Sequence, residues 1–239
     1  MLKQYNFELK ISNTDNIYSE LAVKLHGALM SRLNEQDIRS LHENKYHPFS
    51  LYCVPAEESG IFLASVSSLH ENGDMMISAA VGLDSVIIKG AGRAAVIRKG
   101  AVTANTLDEL TRNINGRKFR LMFLTPSAFK VAGKETGFPD VTMHFISVLR
   151  KMQEFEGLQI DFDMFRKAFY QCRLREWQFR EYQYNISGIH VPGMTGSVDI
   201  ELPDTEIQHL LKKVFLYASF SGTGGRTGMG MGGFLFMRI

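Results

Sequence analysis

Two periods of hydrophobic patterning alternate along this chain, and they do so twice in the same order. Tyr5, Phe7, Leu9 and Ile11 alternate with polar neighbours, as in a half-buried strand. Leu21, Leu25, Leu29 and Leu33 recur at every fourth position and form one apolar stripe, which predicts an amphipathic helix. Ile38 and Leu41 begin a second, shorter helical stretch. "HPFSLYCV", with Pro48 near its start, and "GIFLASVSSL" read as strands. "DMMISAAVGL" reads as a short helix and "DSVIIKGAGRAAVI" as one or two further strands. Strand, helix, strand, strand, helix, strand is the ferredoxin-like order, which RNA-recognition domains share.

The order then repeats. "RKFRLMFLTP" is a strand that Pro126 is expected to stop. Pro139 suits the first turn of a helix, with Val141, Phe145, Val148, Leu149 and Met152 as its buried face. Phe162, Phe165 and Phe169 mark another helical stretch, "EWQFREYQYNI" is extended, and "TGSVDIEL" is a strand. Asp204 is placed to cap a helix whose stripe is Ile207, Leu210, Leu211, Val214 and Phe215, and "FLFMRI" closes as a strand. The expected fold class is therefore α+β, with two tandem ferredoxin-like (RNA-recognition-type) domains, residues 1–110 and 111–239, joined near residues 105–117. The halves repeat an order of elements rather than a run of residues.

Composition bounds the partners. The 239 residues suffice for one large or two small domains, and 45% hydrophobic with 22% charged residues is a globular balance. A net charge of only +2 does not announce nucleic acid, so such binding would need a local basic groove. Cys53 and Cys172 make no disulfide framework. No run approaches a membrane span and the first residues lack a signal-peptide core, so a cytoplasmic protein without a membrane partner is expected.

The segment "SGTGGRTGMGMGG", Ser221 to Gly233, has seven glycines in thirteen residues. A dinucleotide fingerprint follows a strand and opens a helix, whereas this segment follows a helix and precedes a strand. A phosphate-binding P-loop needs Gly-Lys-Ser/Thr, and the nearest match here is Gly225-Arg226-Thr227. Unused glycine costs conformational entropy, so so many together point to positive φ or close backbone approach. A clamp on a phosphate backbone is the functional expectation, with Arg226 and Thr227 as donors beside Gly222, Gly224, Gly225 and Gly228.

The position of this segment, between the last helix and the last strand, resembles the glycine-rich loop of the Cas6 family of CRISPR repeat-processing endoribonucleases. "LHENKYHPFSLYCV" resembles the family's histidine segment, "FLTPSAFKVAGKETGFPDVTMHFISVLRKMQEF" the segment opening its second half, and "ISGIHVPGMTGSVDIEL" the hairpin before its last helix. The resemblance implies two ferredoxin-like domains and a metal-independent cut within a CRISPR repeat transcript. It also implies attack by the RNA's own 2′-OH, leaving a 2′,3′-cyclic phosphate and a 5′-OH. CRISPR repeat RNA is the implied partner; other Cas effector subunits and a second copy of the chain are further candidates. No cofactor is implied.

Such chemistry needs a base for the 2′-OH, an acid for the 5′-oxygen and a cation for the phosphorane. Histidine serves both proton roles near neutrality. His42 is the first choice because it lies in the block resembling the family's histidine segment; His26, in "KLHGALM", is the second, with Tyr18 as an alternative. Lys45 follows His42 by three residues and would share its cleft if the helix continues, whereas His47 beside Pro48 reads as structural. Asp161 and Asp163 diverge on a helix, and no cluster has zinc spacing. For RNA binding, Lys130 and Lys134 flank an expected loop. "CRLREWQFREYQYN" interleaves Arg173, Arg175 and Arg180 with Trp177, Phe179, Tyr182 and Tyr184, while Lys89, Arg93, Arg98 and Lys99 offer a second basic rim. The same fold would also suit a non-catalytic RNA-binding subunit of a CRISPR ribonucleoprotein complex.

Overall fold

The computed structural model spans residues 1–239 and describes all but 12–17, 44 and 89–91, together with the side chains of 18–20 and 42. In chain order the elements are β1 (Leu2–Lys10), α1 (Tyr18–Met30), α2 (Glu35–Glu43), β2 (Phe49–Pro55), β3 (Ile61–Ser68), α3 (Asp74–Val81), β4 (Ser85–Ile88), β5 (Gly92–Lys99), β6 (Thr103–Asn105) and α4 (Leu107–Asn113). There follow β7 (Lys118–Ser127), β8 (Phe129–Val131), β9 (Lys134–Thr136), α5 (Val141–His144), α6 (Ile146–Glu156), α7 (Phe162–Phe169), β10 (Arg173–Ile186), β11 (Ile189–Glu201), α8 (Ile207–Ser221) and β12 (Phe234–Arg238).

The fold is α+β, built on two separate antiparallel sheets. The first runs β2-β3-β1-β5-β4, with β6 also on β1; the second runs β10-β11-β7-β12. Placing the first strand of each half between the third and the last is consistent with ferredoxin-like order. The period-two pattern of β1 sends Tyr5, Phe7 and Leu9 into a core with Leu21, Leu25 and Leu29 of α1 and Met76 and Ala80 of α3. The second core is dominated by phenylalanine. Phe145 lies 5.5 Å from Phe165, 5.3 Å from Phe215 and 5.4 Å from Phe234, ring centre to ring centre. The last two are edge contacts, which suit the aromatic quadrupole.

Several local expectations change. Pro126 does not stop β7, which runs on to Ser127. The missing N–H falls where the β7–β11 register shifts, between the Met194–Ser127 and Gly196–Phe123 pairs, and the Pro126 carbonyl accepts the Gly232 N–H at 2.9 Å. Pro139 stands before the helix; Asp140 is the N-cap and accepts from Thr142 and Met143. Asp204 caps nothing on α8, which starts at Ile207 after a Glu206 without a side-chain cap, and instead pairs with Arg117 at 2.9 Å. β6, α4 and the β8–β9 hairpin were not expected; α4, in the connection between halves, carries a Thr106–Glu109 capping box and buries Leu107 in the second core.

A third, small cluster joins the halves: Tyr184, Ile186 and Val191 from the β10–β11 hairpin, Ala128, and Met231, with Val23 of α1 and Met229 against them. Gly230, at φ +98°, lies in the contact between the halves, where a Cβ would collide with the Ala22 methyl and the Tyr184 hydroxyl. Gly230→Ala should therefore destabilise the protein by about 1–3 kcal/mol, through overpacking plus the positive φ, as read from a denaturant midpoint. A variant as stable as the parent would show that the halves do not meet through this residue.

Candidate active site

The glycine segment is mostly interior. α8 ends at Ser221 and is capped by Gly222, whose φ of +66° is costly for any other residue. The N–H of Gly222 donates to Ala218 O at 2.9 Å, that of Gly224 to His144 O at 2.8 Å and that of Gly225 to Ala128 O at 2.8 Å. Gly222, Gly224 and Gly228 are buried, Gly225 is exposed and Arg226 is intermediate. A single 3-10 turn, Thr227–Met229, follows Arg226, which is itself left-handed at φ +57°.

That turn comes down on the start of β2. A Cβ on Gly228 would lie 3.1 Å from Phe49 Cε2. The His26 ring of α1 stacks on the same Phe49, with centroids 6.1 Å apart and planes at 16°, and His47 tilts against it at 5.7 Å. Phe49 is fully buried and so holds the helix, the strand and the glycine turn in one place. His42 lies on α2, one turn after Ile38 and next to the buried Leu41, and its side chain is outside the described residues, as is that of Tyr18. α2 ends at Glu43, so Lys45 does not continue the helix with His42. Lys45 is exposed, 5.5 Å from the Tyr46 ring centre, on a groove shared with Arg150, Gln153 and Glu154 of α6.

The basic residues divide into separate groups. Arg226 donates from Nε to Glu135 Oε1 at 2.9 Å and from Nη2 to Oε2 at 3.3 Å. Glu135 belongs to β9, so Lys130 and Lys134, both exposed, stand on the hairpin that holds Arg226. Arg175 is elsewhere, paired with Glu201 near the bidentate Arg120–Asp199 pair and the exposed Trp177. Arg180 is exposed on β10 opposite Thr195. Arg98 pairs with Glu8 and Lys99 with Asp84, each at 3.0 Å, while Lys89 lies outside the described residues. Asp161 caps α7, and among the described residues no group of three or more His, Cys, Asp or Glu is placed to hold a metal ion. Among them, too, no helix is long and apolar enough to cross a membrane.

Sequence reasoning passed over the groups that hold the turn from behind. Lys151 is buried, and its Nζ donates to Ser221 O and to Thr227 Oγ1, both at 2.7 Å. His144 is wholly buried between Ser127 Oγ, 2.9 Å from Nδ1, and Phe138 O, 3.0 Å from Nε2. A carbonyl can only accept, so Nε2 carries the proton and Nδ1 accepts from Ser127, whose oxygen in turn accepts from Thr223 Oγ1 at 2.9 Å. The signal is present in the sequence: Lys151 and His144 stand three after and four before Val148, in line with the apolar stripe that runs through α5 and α6.

A family model described as CRISPR-associated endoribonuclease Cas6 matches residues 121–234. A Mycobacterium tuberculosis protein of that name is 25% identical over 222 residues, covering 89% of this chain and 70% of its own. A Streptococcus thermophilus one is 22% identical over 231 residues, covering 92% of each. The solved Cas6 of Thermus thermophilus superposes with a TM-score of 0.70 at 22% identity, over 99% of this chain and 98% of that one. The chain is thus similar to Cas6 proteins in sequence and in fold. The matched segment of the Cas6 model runs from β7 to the start of β12 and so contains the whole glycine segment together with Glu135, His144 and Lys151, while Ala22 and Phe49, which also pack against it, lie outside.

Burial pushes the His144 pKa down from 6.5 to about 4, with the Phe138 carbonyl opposing in part. The unfolded chain then binds this proton first as pH falls. The stability that His144 contributes should be whole above about pH 6.5, fall as pH drops towards 4, and level off below it. His144→Gln, which cannot titrate, should flatten that part of the curve of thermal midpoint against pH; parallel curves for both proteins would refute the assignment.

Proposed function

We propose that this chain is a metal-independent endoribonuclease that cuts CRISPR repeat transcripts into mature crRNAs. The observation that carries the reading is the meeting, at Phe49, of the C-terminal glycine turn with the histidine-bearing N-terminal half. The match to the Cas6 family supports it. Residues 1–110 form the half with the histidines and residues 111–239 the half with the RNA-binding loop, each a ferredoxin-like unit.

In the proposed reaction His42, or His26, removes the 2′-OH proton. The 2′-oxygen bonds to the adjacent phosphorus and the P–O5′ bond breaks. The 5′-oxygen takes a proton from the other histidine, and Lys45 offsets the charge on the phosphorane. The products are a 2′,3′-cyclic phosphate and a 5′-OH. Because the N–H groups of Gly222, Gly224 and Gly225 are spent on protein carbonyls and Thr227 and Gly228 are buried, the part of the loop offered to RNA narrows to Arg226 beside the exposed Gly225. Arg226, with Lys130 and Lys134 on the neighbouring hairpin, binds phosphate by exchanging part of its Glu135 pairing; Arg175 and Arg180 extend the contact along β10.

Cleavage of repeat RNA should survive excess EDTA, and end-group analysis should find the cyclic phosphate. A 2′-deoxy nucleotide just upstream of the cut should block cleavage while leaving binding intact, and a cut in that substrate would sink the mechanism. His42→Ala should slow single-turnover cleavage by about 10²-fold or more without weakening binding. Binding without any cleavage by the parent protein would favour the non-catalytic subunit instead.

Arg226→Ala should weaken repeat-RNA binding and reduce the slope of log affinity against log salt by about one, the loss of one phosphate contact. Titrations at several salt concentrations that superimpose on those of the parent would remove Arg226 from the interface.

A further inference from the structure

The least explained group in the molecule is the ammonium of Lys151. It projects from the inner side of α6 into protein, and no carboxylate lies within ion-pair distance of it among the described residues. Its two partners are neutral oxygens 2.7 Å away, and they are not neighbours in the chain. Ser221 O is the last carbonyl of α8, where the helix dipole leaves negative charge and a cation is favoured. Thr227 Oγ1 opens the 3-10 turn whose next residue, Gly228, rests on Phe49. One charged nitrogen therefore ties the foot of the glycine segment to the turn that faces the candidate site.

We infer that Lys151 is a positioning residue for the candidate active site: its ammonium sets the place of the Thr227–Met229 turn, and through Gly228 and Phe49 the placing of the His26 side. The backing is rigid. Tyr217 on α8 donates its hydroxyl to the Lys151 carbonyl at 3.3 Å, so lysine backbone and side chain are both anchored to the helix that leads into the segment. Burial alone draws the Lys151 pKa down to about 7, the mark of an ammonium that is expensive to keep there and is not stabilised by a counter-ion. A methionine would fill the same space without that cost, so packing does not call for the charge.

Lys151→Met and Thr227→Val remove the clamp from its two ends with little change in volume. In both folded variants, single-turnover cleavage of repeat RNA should fall about 10- to 100-fold, as expected of a site displaced by a fraction of its contacts, while RNA affinity holds. Amide hydrogen exchange should rise in residues 222–232 and stay at parent level in β7 and β1. In Lys151→Ala, n-propylammonium should restore part of the rate and n-propanol none. The rate measurements rest on the endoribonuclease reading; the exchange measurement does not, and it decides the matter even if the parent protein leaves repeat RNA uncut. Parent-like loop exchange in Lys151→Met, or a rise spread evenly over both sheets, would overturn the inference.

Discussion

Everything in this molecule that bears on function depends on how closely one stretch of backbone is allowed to approach other chains of atoms. The glycine segment lies between α1, the start of β2 and the β10–β11 hairpin, and at Gly230 and Gly228 the space left for a side chain is nil or nearly so. Glycine is poor material for ordered structure, since it loses the most conformational entropy on folding. The loss is offset here by hydrogen bonds from Gly222, Gly224, Gly225 and Gly232 to carbonyls of three segments, at Ala218, at His144 and along Pro126–Ala128, and by burial of Met231 in the cluster that joins the halves. The segment is thus a joint before it is a binding loop. Any contact it makes with RNA is made from a conformation that the protein has already settled.

The interior behind the joint is polar, and expensively so. Lys151 and His144 are both buried, and burial pulls both pKa values well down. Their roles differ. His144 works as a neutral relay, its tautomer dictated by the Phe138 carbonyl, and it passes order from α5 through Ser127 to Thr223. Lys151 works across the segment, from its first residue to its middle. A chain of neutral donors rigidifies without a charge penalty; a buried ammonium adds direction and cost together. The joint uses each on a different side.

How much of this could be read in the sequence follows from what each signal measures. The alternation of Tyr5, Phe7 and Leu9 and the four-residue recurrence of Leu21, Leu25 and Leu29 report burial on one face, and both elements appear where the pattern puts them. β6, α4 and the β8–β9 hairpin are short and carry few apolar residues, so no period exists to reveal them. Pro126 misled because a proline ends a strand only where its N–H would have been used, and the register shift in β11 removes that need. For the site, the glycine count announced close approach but not which partner approaches. Lys130, Lys134 and Arg226 are nearly 100 positions apart in part, and only the fold brings the hairpin of the first two against the third. Lys151 and His144 were legible as polar residues on an apolar stripe, a pattern that says a group is buried without saying what it holds.

The Arg226–Glu135 pair shows how the joint and the proposed interface fit together. Arg226 is two-thirds covered and left-handed, so its direction is set by the backbone on either side rather than by the ion pair alone. A guanidinium has five donors, and the carboxylate takes only two N–H groups in the observed fork. The remaining donors can meet a phosphate while Glu135 still orients the plane, which makes the carboxylate a guide for the arginine as well as a competitor of the RNA. The competition is weak where both partners are partly in water and screened by salt. Orientation, in contrast, does not depend on salt. Under the proposed function, an arginine presented this way, on a turn locked to Phe49 from one side and to Lys151 from the other, would place a phosphate relative to His26 with little left to be decided when the RNA arrives.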